Sequence, residues 1–272
     1  QPAVVIAGAG SGKTETMAAR VLWLVANGFA KPEEILGLTF TNKAANELST
    51  RIRKRLRQLV KSNLAPKELA GATCDVYTYH SYAGRILQED GMRIGFDVAS
   101  EPMGDAAVWQ LARDVLYQGD PFSEEIDNKP ASLVGELIDL SDAIIEHGLS
   151  VAEVKLATQT EIEKLANIIP SRGTSLPKEL VKLGNLLNLR MELLDRVEVY
   201  LQAKRERGWY TFNDQMNLAA DLVAIPSIHS DEIRQRERNK YKFIILDEYQ
   251  DTSQSQLRLL EVVSDGSKVL GL

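Results

Sequence analysis

From Val4 to Gly28 the chain reads as an apolar run, a glycine-rich turn and an amphipathic stretch, and that succession constrains the fold more than any other segment. Val4-Val5-Ile6 leads directly into Ala7-Gly8-Ala9-Gly10-Ser11-Gly12-Lys13-Thr14. Met17, Val21, Leu24 and Val25 then recur four, three and one positions apart, which places them on one helical face, and Gly28 ends the helix. A short apolar strand passing through a tight turn into a helix is the unit of a parallel α/β sheet. Glycines allow successive backbone N–H groups to point inward. Lys13 and the amino end of the helix add positive charge there, and the Thr14 hydroxyl suits Mg²⁺. The cradle Ala7, Gly8, Ala9, Gly10, Ser11, Gly12, Lys13 and Thr14 is therefore read as holding the phosphates of a nucleoside triphosphate. A dinucleotide fingerprint fails, because G-x-G-x-x-G counted from Gly8 needs glycine where Lys13 stands. Ala7 occupies the position of the more common first glycine, giving an A-x-x-G-x-G-K-T variant.

A second half of the site is expected far along the chain. Phe243-Ile244-Ile245-Leu246 reads as a buried parallel strand, with Asp247-Glu248-Tyr249-Gln250-Asp251 at its carboxyl end. Open α/β sheets place ligands at that edge, so Asp247 is expected to face the Mg²⁺ that Thr14 holds, and Glu248 to orient and deprotonate the attacking water. Either segment alone could be a glycine-rich turn or a solvated acidic loop; together they imply hydrolysis.

Four segments now stand in a recognisable order: Ala7 to Thr14, Leu38-Thr39-Phe40-Thr41-Asn42-Lys43-Ala44-Ala45, Tyr77-Thr78-Tyr79-His80-Ser81, and Asp247 to Asp251. In that order the chain resembles the UvrD/Rep/PcrA-like superfamily 1A DNA helicases, with actinobacterial UvrD-like or AdnB-like proteins as the finer match. The resemblance implies a RecA-like P-loop NTPase sheet with an inserted all-helical subdomain. It further implies ATP and Mg²⁺ as cofactors, 3′ to 5′ stepping along single-stranded DNA and at junctions with duplex, and a place in repair or recombination. Lys13, Asp247, Glu248 and Gln250 become the catalytic set, and Thr14 and Asp247 the metal ligands. Such motors have two RecA-like domains, and this chain matches the first. The adenine-contacting Gln motif is expected upstream of Gln1, and a further motif just beyond the strand at Lys268 to Leu272. The arginine fingers that complete the transition-state charge belong to the second domain.

Family resemblance also assigns the DNA strand to Phe40, Thr41 and Asn42, and to Tyr79 and His80. Both groups follow apparent strands and so stand on the ligand-bearing edge. Aromatic faces stack on bases without regard to sequence, and short polar side chains bond phosphate oxygens. Taken alone, His80 reads as a structural histidine. Asn42-Lys43 fails as a guanine-reading N-K-x-D signature, because Ala45 occupies the fourth position.

The net charge of −6 excludes binding through a bulk basic field, so any nucleic-acid contact must be local. Arg51, Arg53, Lys54, Arg55, Arg57 and Lys61 follow one another without an acid on the helix continuing from Ala44. Two readings fit equally: a phosphate-contacting face, or a solvated face with Ile52, Leu56, Leu59 and Val60 turned inward. The single cysteine, Cys74, forms neither an internal disulfide nor a thiolate cluster. No apolar run reaches membrane-spanning length, and the expected location is the cytoplasm, in association with the nucleoid.

Lys13 and Asp247 stand 234 positions apart, far more than one compact sheet needs. Residues 92–204 lack strand patterns, and Leu180, Leu183, Leu187, Met191, Leu194, Val197 and Leu201 form a helical stripe expected to pack on Leu133, Leu137 and Ile144. The organisation expected is thus a discontinuous motor domain, 1–91 with 205–272, interrupted by a helical insert, 92–204. Loops are expected at Asp127-Asn128-Lys129-Pro130 and Pro170-Ser171-Arg172-Gly173, and Gly208 ends the last insert helix. Thr211 to Gln215 resembles a lesser family motif. Ser230-Asp231-Glu232 reads as a helix cap, and Arg234 to Lys240 as a solvated helix before a strand at Tyr241. The rival from another functional class is a P-loop regulatory or scaffolding ATPase that binds a protein partner.

Overall fold

The structure, a computed structural model, describes residues 3–8, 10–97, 99, 101–119, 121–122, 130–168 and 177–272. Ala9 of the phosphate loop, and the loop expectations at 127–129 and 170–173, lie outside the described residues; Pro130 is the first residue of a helix. The chain forms two compact units, 1–98 with 215–272, and 99–214.

The first unit is an α/β layer structure. Five parallel strands, β1 (Ala3–Val4), β2 (Ile35–Thr39), β3 (Asp75–Thr78), β4 (Phe243–Leu246) and β5 (Lys268–Gly271), lie in the order β1-β5-β4-β2-β3. Because strand side chains alternate, β2 and β4 serve two cores at once. Leu36, Leu38, Ile244 and Leu246 face one, with Tyr82, Ile86, Met216, Val223 and Leu260. Ile35, Phe243 and Ile245 face the other, with Met17, Val21 and Leu24 of α1 (Lys13–Ala26) and Leu48, Ile52 and Leu56 of α2 (Asn42–Lys61). Both strands are buried throughout, which explains why they read as unbroken apolar runs. The first core is completed by α3 (Tyr79–Asp90), α8 (Phe212–Ala224), α9 (Ile228–Lys240) and α10 (Gln254–Ser264).

The α1 stop is as expected. Gly28, at φ +70°, lets Phe29 N–H reach back to the Leu24 carbonyl at 2.9 Å. At α9 the expectation needs correcting. Ser227 is the N-cap and Ser230 completes its capping box, while Glu237, expected on a solvated face, is 1% exposed. It accepts from Arg85 Nη2 at 2.5 Å and from the Tyr82 hydroxyl at 2.9 Å. Tyr241 precedes β4 and is likewise buried.

The second unit is helical: α4 (Asp105–Gln118), α5 (Pro130–Glu146), α6 (Val151–Ala166) and the 29-residue α7 (Lys178–Glu206). Leu111, Val115, Val134, Leu137, Ile144, Leu194 and Val197 form its core. The leucine stripe of α7 is used unevenly. Leu194 and Val197 are buried, whereas Leu183 is 45% exposed. Gly208 follows α7 at φ +64°, with Trp209 N–H on the Lys204 carbonyl at 2.9 Å. Among the described residues no helix is long and apolar enough to cross a membrane.

Candidate functional site

Hydrogen bonding along the edge strand positions the phosphate loop. β1 pairs with β5, and Val5 N–H extends the ladder to the Gly271 carbonyl at 2.8 Å. The chain then turns through Gly10 at φ +75° and Gly12 at φ +91°, a backbone that a side chain would strain, and α1 begins at Lys13. Gly12 is the N-cap, so no side chain caps the first turn and its N–H groups stay available to an anion. Ser11 N–H bonds the Gly8 carbonyl at 3.3 Å; Ala7 is half-buried and Gly8 exposed. The Thr14 side chain is half-buried and, among the described residues, has no hydrogen-bond partner.

From the opposite side come the acids after β4. Asp247 N–H bonds the Leu38 carbonyl at 2.9 Å, which fixes the acid at the strand end, where it is 8% exposed. Burial, then the neighbouring Glu248 charge, push its carboxyl above the ordinary range, and Lys13 opposes them. Glu248 stands at φ +50°, ψ +44°, a left-handed conformation unusual for a non-glycine residue, which turns its side chain off the strand direction. Its Oε2 accepts from Lys13 Nζ at 2.7 Å and from Gln250 Nε2 at 2.5 Å. The Lys13 bond first, and Gln250 second, hold the Glu248 carboxyl below its ordinary value, and the same bond raises Lys13. The sequence separated these two residues by most of the chain; the sheet joins them. Thr14 and Asp247 share no hydrogen bond.

At the ends of β2 and β3 lies the edge assigned to the DNA strand. Phe40 is 37% exposed, Asn42 is exposed as the first residue of α2, and Thr41 is its N-cap, with Oγ1 accepting from Ala44 N–H at 3.1 Å. His80 is half-buried, and burial lowers its pKa, so it offers a neutral imidazole. Tyr79 departs from the expectation of a base-stacking residue. It is 2% exposed, meets Phe40 edge-on at 5.1 Å between ring centroids, and brings its hydroxyl to 3.5 Å from the Asp247 carbonyl, a long contact. Its ring supports Phe40 from beneath and connects that edge with the acid strand.

Two features escaped sequence reasoning. Glu15, in the first turn of α1, pairs with Arg51 at 2.9 Å and with Arg55 of α2. The signal was available: an acid-free basic helix and a lone acid just after the phosphate loop. Tyr249 N–H bonds the Leu272 carbonyl at 2.9 Å and its ring covers Gly271, tying the acid loop to the end of β5. Nothing in the local sequence announced that contact.

A family described as UvrD/REP helicase N-terminal domain matches residues 1–271. The ATP-dependent DNA helicase PcrA of Staphylococcus aureus is 26% identical over 99% of this chain, and that of Staphylococcus epidermidis 28% over 99%. In both, the matched region is 30% of the relative, so this chain spans about 30% of the length of those proteins.

Proposed function

This chain belongs to the UvrD/REP helicase N-terminal domain family, and from that premise we propose that it is the N-terminal ATPase half of an ATP-dependent DNA helicase or translocase. The proposed motor steps 3′ to 5′ on single-stranded DNA, acts at junctions with duplex in repair or recombination, and closes on ATP with a second RecA-like domain. Its setting is the cytoplasm, with the nucleoid. Residues 1–91 and 205–272 are assigned to the motor domain and 92–204 to the insert. What carries the reading is the 2.7 Å contact between Lys13 and Glu248, two groups whose chemistry is complementary in phosphoryl transfer to water.

The residues suit ATP with Mg²⁺: an uncapped helix start behind Gly12, a Thr14 hydroxyl with no partner among the described residues, and the Asp247 carboxyl at the end of β4. Thr14 and Asp247 would hold the metal, and Ala7 to Thr14 the phosphates. Bound Mg²⁺ neutralises charge on the phosphate oxygens. Lys13 has a phosphate-binding role only once it leaves Glu248 Oε2. The release frees one acceptor position of that oxygen to take a proton from water, while Gln250 Nε2, bonded to the same oxygen, keeps the carboxylate oriented. Phe40 offers a face to a base, and Thr41, Asn42 and the neutral His80 offer hydrogen bonds.

The deciding experiment separates binding from chemistry in the intact protein. Glu248→Gln should retain Mg²⁺-ATP binding while hydrolysis falls about 10²-fold or more. Asp247→Ala should weaken metal-dependent binding instead. Loss of nucleotide affinity in the first variant, with the second unaffected, would reverse the two roles.

A further inference from the structure

The cations of α2 divide into two sets. Arg51 and Arg55 lean toward α1 and are held by Glu15. Lys43, Lys54, Arg57 and Lys61 lie within about 60° of one another around the helix and are exposed, with Arg53 beside them. Among the described residues none of these five has an ion-pair partner. At 1.5 Å per residue the line from Lys43 to Lys61 runs about 27 Å, and Glu47 is the only acid anywhere on α2.

A merely solvated face does not call for such a line. Arg53 with Arg57, and Arg57 with Lys61, are like charges four apart, and Lys54 with Arg57 three apart, each destabilising to an isolated helix. The chain as a whole carries −6, so the strip is a local reversal of sign. Its chemistry narrows the occupant. A protein interface needs buried apolar or aromatic anchors, and no large exposed hydrophobic residue lies on α2. A membrane-surface helix needs a free apolar face, and Leu48, Ile52 and Leu56 are spent in the core. Single-strand grooves rely on aromatic stacking, which this strip lacks. What remains is a straight row of point charges, matched to the densest regular line of negative charge, the duplex backbone.

We propose that the outward face of α2, through Lys54, Arg57 and Lys61, binds the phosphate backbone of double-stranded DNA, as a surface separate from the Phe40 edge. The inference rests on charge and geometry and stands whether or not the ATPase reading does. The test measures affinity for a blunt DNA duplex and for a single strand as a function of salt, with the wild-type chain and with Lys54→Gln, Arg57→Gln and Lys61→Gln combined. A charge-retaining control combines Lys54→Arg, Arg57→Lys and Lys61→Arg. Losing three phosphate contacts should flatten the slope of log affinity against log salt by about 2.7. Between about 50 and 200 mM salt, the salt-induced loss of duplex affinity should then be about 40-fold smaller than in wild type. Single-strand affinity should be unchanged, and the charge-retaining control should keep the wild-type slope. An unchanged duplex slope in the glutamine variant overturns the proposal. So does an equal effect on single strands, or a flattened slope in the control. Binding of polyglutamate as tightly as duplex would reassign the strip to acidic protein.

Discussion

Each unit of the molecule contains a close lysine–carboxylate pair, and the two are built differently. In the sheet unit Lys13 meets Glu248 at 2.7 Å with the carboxylate 37% exposed, on a residue whose backbone is left-handed. In the helical unit Lys204 meets Asp214 at 2.5 Å with side chains only 4% and 12% exposed. Asp214 is also occupied elsewhere, since its Oδ2 accepts from Thr211 N–H at 2.6 Å at the start of α8. In the first pair the Glu248 carboxylate is open to solvent although the Lys13 side chain is only 14% exposed, so a competing anion can reach the contact from the acid's side. The second is sealed, and its desolvated charges depend on each other. On the proposed reading, similar chemistry thus serves a contact that breaks in one unit and a contact that holds in the other.

The comparison breaks most visibly at Lys13. In the intact protein Lys13→Ala should reduce steady-state ATP hydrolysis by about 10²-fold or more, because the charge that follows the phosphates is gone, while the thermal midpoint stays close to wild type. Removing the lysine should also let the Glu248 carboxyl rise toward its ordinary value, since the Lys13 bond is the main cause of its depression. The sign follows from that direction: the pair's contribution is present above the ordinary carboxylate value and is lost as pH falls through the lowered one. A ¹³C titration of the Glu248 carboxyl checks it, and near wild-type turnover in the variant would remove Lys13 from the phosphate site.

Lys204→Met is the counterpart in the helical unit. Deleting one partner of a buried pair strands the other, at a cost of about 3–5 kcal/mol. Chemical unfolding should therefore show a large loss of stability, while hydrolysis per folded molecule remains near wild type. A variant as stable as the parent would mean that Asp214 is satisfied by its cap alone.

That contrast also explains what the sequence made legible. The phosphate loop and acid strand could be read because their chemistry is local: glycines at the turns, a lysine at a helix start, carboxylates after an apolar strand. The parallel α/β sheet followed from the same runs. Lys204 and Asp214 could not be read as a pair, because nothing in a 29-residue helix marks which of its cations is turned inward. Glu237 misled for a related reason. It stands in a charged run, yet Arg85 and Tyr82, distant in sequence, supply the partners that let it be buried. Tyr79 and Phe40 are both expected at the sheet edge, and the strand-to-helix position of Tyr79 leaves open which of the two rings is buried; it is Tyr79.

The smallest expected effect concerns the α7 stripe, whose seven members looked equivalent by spacing. Leu194 is fully buried among Leu137, Ile144 and Val197, so Leu194→Ala deletes methyl groups and leaves a cavity, costing about 2–5 kcal/mol. Leu183, on the same stripe, is 45% exposed, and Leu183→Ala should change stability by no more than about 0.5 kcal/mol in either direction. Alanine is also the better helix former at an exposed site, which works against any loss. Urea unfolding of the two variants measures both values on one helix. The difference between them, about 2 kcal/mol or more, reports how far burial rather than spacing decides which leucines stabilise the unit, and equal losses would mean that the amino-terminal half of α7 is covered as deeply as the rest.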